Sequence, residues 1–210
     1  MPRGFFVTGT DTNVGKTVLS AVLCSGLSGV YWKPIQTGAS EGTDRRSILS
    51  WTRCGEDKCL PERFLFNDPV SPHLAAQRAG VEISLETIEV PCLSGGVPLV
   101  AEGAGGVMVP INQHQFMTDL MRHLGFPVIL ASRSTLGTIN HTLLSLRCLR
   151  DLGIPLCGVV LIGPLNPENR FAIEHYGSVP VIGEIPPLEE INPEALRRVF
   201  VRHFVAETFQ

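Results

Sequence analysis

"GTDTNVGKT", residues 9–17, ends as a phosphate-cradling loop ends, with a glycine, a lysine and a hydroxyl residue. It has five residues between its two glycines, where the common pattern G-x-x-x-x-G-K-[ST] has four. Its surroundings decide the reading. The apolar run "GFFVTG" (4–9) leads into it, and a helix-like segment, Lys16 to Leu27, leads out. Strand, glycine-rich loop and helix in that order turn the backbone N–H groups of Asn13 to Thr17 towards a concave anion nest at a helix N-terminus. Lys16 is then placed to reach terminal phosphates, and Thr17 to offer its hydroxyl to magnesium.

Outward from the loop, short apolar runs rich in β-branched residues recur: "GVYWKP" (29–34), "VPLVAEG" (97–103), "FPVILAS" (126–132), "PLCGVVLIG" (155–163) and "VPVIGEIP" (179–186). This is the pattern of parallel strands buried on both faces. Helix-like segments lie between them, among them Phe116 to Leu124 and Thr138 to Leu152. In the second, Leu143, Leu144, Leu146, Leu149 and Leu152 fall at helical spacing. The alternation predicts an α/β fold, a mostly parallel sheet flanked by helices, with the phosphate loop at its first strand and a single domain over residues 1–210. "LGFPV", "LGIPL" and "YGSVPV" each put a helix-stopping glycine before a proline that precedes the next strand. "EINPEALRRVF" (190–200) predicts a closing helix with Asn192 as N-cap and Pro193 at its first position. Trp51 to Pro72 is less regular and reads as long loops.

A chain of 210 residues can bury about 70% of the surface its unfolded form exposes, so neither metal nor disulfide is needed to hold it. Hydrophobic residues make up 44% and charged residues 18%, with no acidic or basic tail, and the net charge of -3 argues against nucleic acid as a partner. The six cysteines are scattered, mostly within apolar runs and without a C-x-x-C pair, and read as buried reduced thiols. There is no secretory apolar region and no stretch of about 18 apolar residues. A cytoplasmic protein with no membrane partner is expected.

In an open parallel sheet, ligands sit beyond the carboxyl ends of the strands, so the residues there carry the chemistry. "WKPIQTG" (32–38) puts Lys33 at a strand end, with Thr37 and Gly38 after the turn. A lone lysine there is ordinarily solvated. Facing a phosphate loop, it becomes a second cation able to stabilise charge in phosphoryl transfer. "EGTDRRSI" (41–48) presents Asp44 at a helix start, which on these residues alone reads as an N-cap worth about 1 kcal/mol. "VPLVAEGAGGVMVP" (97–110) ends an apolar strand on Glu102 before a glycine-rich turn, the usual place for a magnesium-associated acid opposite a phosphate loop. His73 in "SPHLAAQRAG" (71–80) has no nucleophile or second ligand near it in sequence and reads as a structural histidine. "STLGTINHTLL" (134–144) opens a helix whose N-terminus suits a carboxylate and equally suits an ordinary cap.

Taken together, "GTDTNVGKT", "KPIQTG", "EGTD", "SPHLAA", "AEGAGGVMVP", "LGTINHTLL" and "GEIPPL" resemble, in that order along nearly the whole chain, the dethiobiotin synthetase family. The five-residue spacing with T-D-T belongs to that family's own loop. The resemblance implies a homodimeric ligase dependent on ATP and magnesium, which closes the ureido ring of dethiobiotin from 7,8-diaminononanoate and carbon dioxide. It implies that Asn13, Val14, Gly15, Lys16, Thr17 and Val18 wrap the phosphates, that Thr17, Asp44 and Glu102 are the magnesium ligands, and that Lys33 is catalytic with Lys16. It further implies that Thr12 and Thr37 touch the diamine or its carbamate. Gly103, Ala104 and Gly105 would line the nucleotide site, and Pro186, Pro187 and Leu188 its base end. Leu136, Gly137, Thr138 and Asn140 would hold the substrate carboxylate from the other subunit.

The sequence departs from the family pattern twice. Asn13 stands where the family's loop often has glutamate, which removes a charge and leaves the backbone geometry available. After "GVV" the family usually has an asparagine that reads the adenine edge, whereas this chain has Leu161, Ile162 and Gly163. Base selectivity is then relaxed, or is carried by backbone groups or by Asn166 or Asn169. The alternative reading, a switch ATPase of the partition or positioning type, expects a lysine early in the loop, where this chain has Asp11.

Overall fold

The computed structural model describes residues 4–93 and 95–209. In chain order its elements are β1 (Gly4–Gly9), α1 (Lys16–Leu27), β2 (Val30–Trp32), β3 (Ile35–Gln36), α2 (Asp44–Thr52), β4 (Cys59–Leu60), β5 (Phe64–Leu65) and α3 (Pro72–Arg78). There follow β6 (Leu99–Glu102), α4 (Met117–Leu124), β7 (Val128–Arg133), α5 (Thr138–Asp151), β8 (Leu156–Ile162), α6 (Pro167–Gly177), β9 (Val181–Ile185) and α7 (Pro193–His203). Seven strands form one parallel sheet in the order β4-β2-β6-β1-β7-β8-β9. The other two, β3 and β5, make a separate parallel pair with Gln36 opposite Leu65.

Side chains alternate between the two faces of the sheet, and both faces are covered, which is why the strands read as unbroken apolar runs. Phe5, Val7, Tyr31, Val100, Ile129 and Val160 pack with Leu19, Val22 and Leu23 of α1, Ile48 of α2 and Leu196 and Val199 of α7. Their neighbours Phe6, Val30, Trp32, Leu99, Ala101, Val128, Leu130 and Val159 pack on the other side with α4, α5 and α6. Fully burying a leucine or valine contributes roughly 1.5–3 kcal/mol. Leu19, Val22 and Leu23, all inaccessible to solvent, therefore fix α1 firmly against the sheet. The loop that opens α1 is held with it.

The chain runs from β1 towards one edge of the sheet, returns to lay β6 between β1 and β2, and then proceeds to the other edge. The strand order reverses there, and ligands of such sheets collect beyond the carboxyl ends at the reversal. Val7 stands opposite Glu102, and Trp32 opposite Ala101. The loop after β1, Glu102 at the end of β6 and Lys33 just beyond β2 thus come out side by side.

All six apolar runs form strands, and Asn192 caps α7 by accepting the Ala195 N–H at 2.9 Å. Two expectations are corrected. The N-cap of α2 is Thr43, whose extended backbone lets its hydroxyl accept the Arg46 N–H at 3.2 Å. Asp44 is instead the first helical residue, and its carboxylate is free to turn into the site. At "YGSVPV" the helix runs through Gly177, and Ser178, at φ 45°, makes the left-handed stop. A Cβ on Gly177 would meet the Leu146 side chain at 3.0 Å, so glycine there serves the packing of α6 on α5. The segment from Trp51 to Pro72 holds β4, which joins the main sheet at its edge, and β5. Two-residue strands leave no periodicity to read.

Candidate active site

A cavity of about 850 Å³ opens beyond the carboxyl ends of β1, β2 and β6. Of the predicted residues, Thr12, Asn13, Gly15, Lys16, Thr17, Val18, Lys33, Thr37, Asp44, Glu102, Ala104 and Gly105 line it. The loop is shaped as an anion nest by two left-handed residues, Asn13 at φ 58° and Gly15 at φ 98°. Glycine is required at the second, where a Cβ would also meet the Ile162 side chain at 3.0 Å. Val14 points away into the core and anchors the loop.

Four polar side chains converge below the loop. Thr17 Oγ1 lies 2.9 Å from Asp44 Oδ1 and 3.2 Å from Glu102 Oε1. The Lys33 ammonium is ion-paired with Asp44 and stands 3.6 Å from Glu102 Oε1. The two oxygens of Glu102 are divided between two tasks. Oε2 accepts from the buried hydroxyls of Ser20 at 2.8 Å and Tyr31 at 3.1 Å, while Oε1 faces Thr17 and Lys33. Gln36, carried by β3, accepts the Asp44 N–H at 3.1 Å and so holds the start of α2 beside Lys33.

Lys16 folds back on its own loop and donates to the Asp11 carbonyl at 3.0 Å. Burial pushes its ammonium down to about 8, against the pull of Glu102. For Lys33 burial also acts downwards, but Glu102 and Asp44 outweigh it and raise the lysine above its ordinary value. Burial acts upwards on Asp44, and Lys33 more than reverses it, leaving this carboxyl below its ordinary value. Burial raises Glu102, with Lys33 working against it. The result is a desolvated set of charges in which Lys33 lies directly against both acids.

The donor set of Thr17, Asp44 and Glu102 fits magnesium. That ion is usually held by one or two carboxylates together with phosphate oxygens and water, not by an all-protein cage. Here one hydroxyl and two carboxylates point at one spot, and the Lys33 ammonium already shows that this spot accommodates positive charge. Among the described residues no group of three or more His, Cys, Asp or Glu side chains forms a cage of its own.

The remaining predicted residues lie outside this cavity. Gly103 is buried beneath it, against Phe6 and Met117. Ile162 rests on Gly15, and Leu188 packs on the same side of the core. Gly163 follows Ile162 at the end of β8, and Pro186 and Pro187 follow the end of β9. Around Gly163 the backbone is already engaged: its N–H donates to Ile185 O at 2.9 Å, and Ile162 O accepts from Ser134 N at 3.0 Å. Asn166 caps α6, and Asn169 donates to the Ser134 carbonyl at 2.9 Å. At the start of α5, Leu136, Gly137 and Asn140 are exposed, whereas the Thr138 hydroxyl turns inward to Ser132 at 2.8 Å.

Sequence reasoning missed several lining residues: Gln36, Ser47 and Trp51, and the turn from Pro69 to Pro72. Asp44, Ser47 and Trp51 sit three and four residues apart, one face of a helix, and that spacing was the available signal. His73 stands in the first turn of α3, bonded to Ser71 Oγ at 3.0 Å.

With this geometry in view, the comparisons are specific. A family model described as an AAA domain matches residues 3–195. ATP-dependent dethiobiotin synthetases of Brucella melitensis and Brucella ovis are each 45% identical over 209 residues, covering 100% of this chain and 98% of theirs. Among solved structures, a ParA family ATPase from Chlorobium tepidum TLS matches with a TM-score of 0.53 at 14% identity, over 95% of this chain and 90% of that one. At that identity the likeness is one of fold, a parallel sheet behind a phosphate loop, and the switch-ATPase reading keeps no more than this. Identity at 45% from end to end is of another order: the chain belongs to the ATP-dependent dethiobiotin synthetase family.

Proposed function

We propose that this chain is an ATP-dependent ligase that closes the ureido ring of dethiobiotin from 7,8-diaminononanoate and carbon dioxide. The observation that carries the proposal is the placement of Lys33 between Asp44 and Glu102 directly under the phosphate loop. In the chemistry of this family, a carbamate forms on one substrate amine, its oxygen takes the γ-phosphoryl group of ATP, and the second amine displaces phosphate. Such a sequence asks for positioned cations and backbone donors, and for no covalent nucleophile on the protein.

Lys16 and the N–H groups of the loop hold the phosphates. Lys33 steadies the carbamate and the phosphoryl group as charge develops between them. Thr12 and Thr37 line the same space from the substrate side. Magnesium, when bound, neutralises phosphate charge, and Thr17, Asp44 and Glu102 are the residues that would hold it. Burial keeps water from competing with these groups, which strengthens each interaction.

The partner is a second copy of the chain. Leu136 and Leu144 by α5, and Phe171 and Tyr176 on the adjacent α6, are exposed apolar side chains that a twofold interface would cover. In such a dimer the start of α5 brings Gly137 and Asn140 to the partner's diamine. The six cysteines are free thiols, in keeping with a cytoplasmic location, although only Cys24 and Cys59 are buried as expected and Cys92 is exposed; no helix of the described residues is long and apolar enough to cross a membrane. At the base end, Ile162 and Gly163 offer no side-chain hydrogen bond, and Asn166 Oδ1 and Asn169 Nδ2 are each engaged within the chain, which supports relaxed base selectivity.

Mass spectrometry of a reaction containing the diamine, ATP and ¹³C-bicarbonate tests the ring closure. The expected product is dethiobiotin carrying the label at its ureido carbon. Unchanged diamine accompanied by ADP would contradict it.

A further inference from the structure

A second, smaller cavity lies at the far ends of α1 and α2 from the phosphate loop. It measures about 230 Å³. Ser25 and Ser28 close it at the end of α1, Thr52 and Arg53 at the end of α2, Lys58 just beyond, and Arg197 from α7. Its lining has three basic side chains and no acidic one. Among the described residues, none of the three has an ion-pair or hydrogen-bond partner for its side chain. Arg53 and Arg197 are exposed and Lys58 half-buried, and exposed Arg46, Arg122 and Arg202 are likewise unpaired, but only here do three such cations line one hollow. Cations near a helix C-terminus are partly explained by the helix dipole. Arg197 is the fifth residue of α7, far from that helix's C-terminus, and the dipole does not explain it.

We propose that this cavity binds a small oxyanion of the phosphate type, a phosphate group alone or one bearing a short substituent. Two guanidinium groups and an ammonium are complementary in sign to a phosphate dianion, and a guanidinium can bind such an anion through two parallel N–H donors. The hydroxyls of Ser25 and Ser28 add donors at the rim. Like charges gathered in one hollow repel, and an anion relieves that repulsion.

The site is built to act at a distance. Helix α1 starts with Lys16 and Thr17, α2 starts with Asp44, and Thr17 Oγ1 meets Asp44 Oδ1 at 2.9 Å. Both helices end at the basic cavity. An anion that ties Arg53 to the end of α1 and to α7 restrains α1 and α2 from sliding past each other, the shear by which packed helices usually move. It thereby holds the Thr17–Asp44 arrangement at the other end, so the anion tightens nucleotide binding. By linkage, nucleotide tightens anion binding by the same factor.

The test uses the full chain saturated with magnesium and a non-hydrolysable ATP analogue, so that the phosphate loop is filled, and titrates it with inorganic phosphate by calorimetry. Saturable one-site binding is expected, weakened at least tenfold in Arg53→Gln/Arg197→Gln, with the analogue's affinity in phosphate-free buffer unchanged. Lys58→Gln is a second variant should the double substitution lower the melting temperature. Absence of saturable binding, or binding indifferent to these variants, overturns the proposal. In wild type, phosphate is expected to tighten the analogue about fivefold or more, an effect absent from the double variant; no change in wild type overturns the coupling. That arm rests on the nucleotide reading of the phosphate loop. The binding arm does not, since phosphate binding lost in the double variant of a chain that failed to bind the analogue would sink the former and leave the cavity standing.

Discussion

Lys33 concentrates the chemistry of the site in one side chain: buried, charged, and held by two acids at the place where a phosphoryl group would change hands. Its Ala variant is expected to lose roughly 10²–10³ in turnover. Nucleotide affinity should stay within about threefold, a split that identifies an interaction made in the transition state. Equal losses in turnover and affinity would count against that role. Tyr31 offers a subtler case, because its hydroxyl holds the oxygen of Glu102 that faces away from the site. In Tyr31→Phe, calorimetry is expected to show metal-free ADP binding unchanged and the tightening by magnesium reduced about tenfold, the lower end of what outer-shell partners contribute to metal affinity. A uniform loss would mark Tyr31 as merely structural. Lys33 and Glu102 were legible in the sequence because each is a charge placed directly after an apolar run, and Lys16 because it completes the G-K-T end of the phosphate loop. Asp44 was legible only through the family resemblance, since on its own an acid at a helix start has a simpler explanation as a cap. Tyr31 and Gln36 were hidden because they sit inside or beside a strand, where a polar atom at the tip leaves no pattern.

Among the elements, the loop and its helix carry the strongest constraint. Gly15→Ala would place a side chain at φ 98° and within 3.0 Å of Ile162. The expected cost is about 1–2 kcal/mol from the left-handed backbone alone, seen as a lower melting temperature together with loss of ADP binding. A variant with wild-type melting and binding would show that the loop relaxes freely. At the end of β8, Ile162 and Gly163 stand where the proposed function leaves the base without a side-chain reader. Product formation with ATP, CTP and GTP at equal low concentration is expected to differ modestly. A preference for ATP of roughly a thousandfold or more would mean that an unrecognised group reads the base, because a site built to hydrogen-bond its ligand discriminates at that level. The strands of the sheet could be read from sequence because burial on both faces makes them long apolar runs. The β3–β5 pair and β4 could not, as each strand is two residues long and its pairing is fixed by the tertiary fold.

For the whole molecule, the order of strands explains why residues 7, 33 and 102 meet, and no local pattern announces that order. The accumulation of motifs at strand ends, through family resemblance, put Lys16, Lys33 and Glu102 in one site in advance, while the strand order itself went unread. Assembly is a further property at this scale. Phe171→Asp with Tyr176→Asp is expected to give a monomer by light scattering, with ADP affinity retained and diamine-dependent turnover lost; a fully active monomer would remove the second subunit from the site. The most direct test of ligase function is phosphate release measured with ATP, diamine and bicarbonate together and then with each omitted. Release that requires both diamine and bicarbonate is the expected result. Release that continues without either would contradict it and favour a switch ATPase.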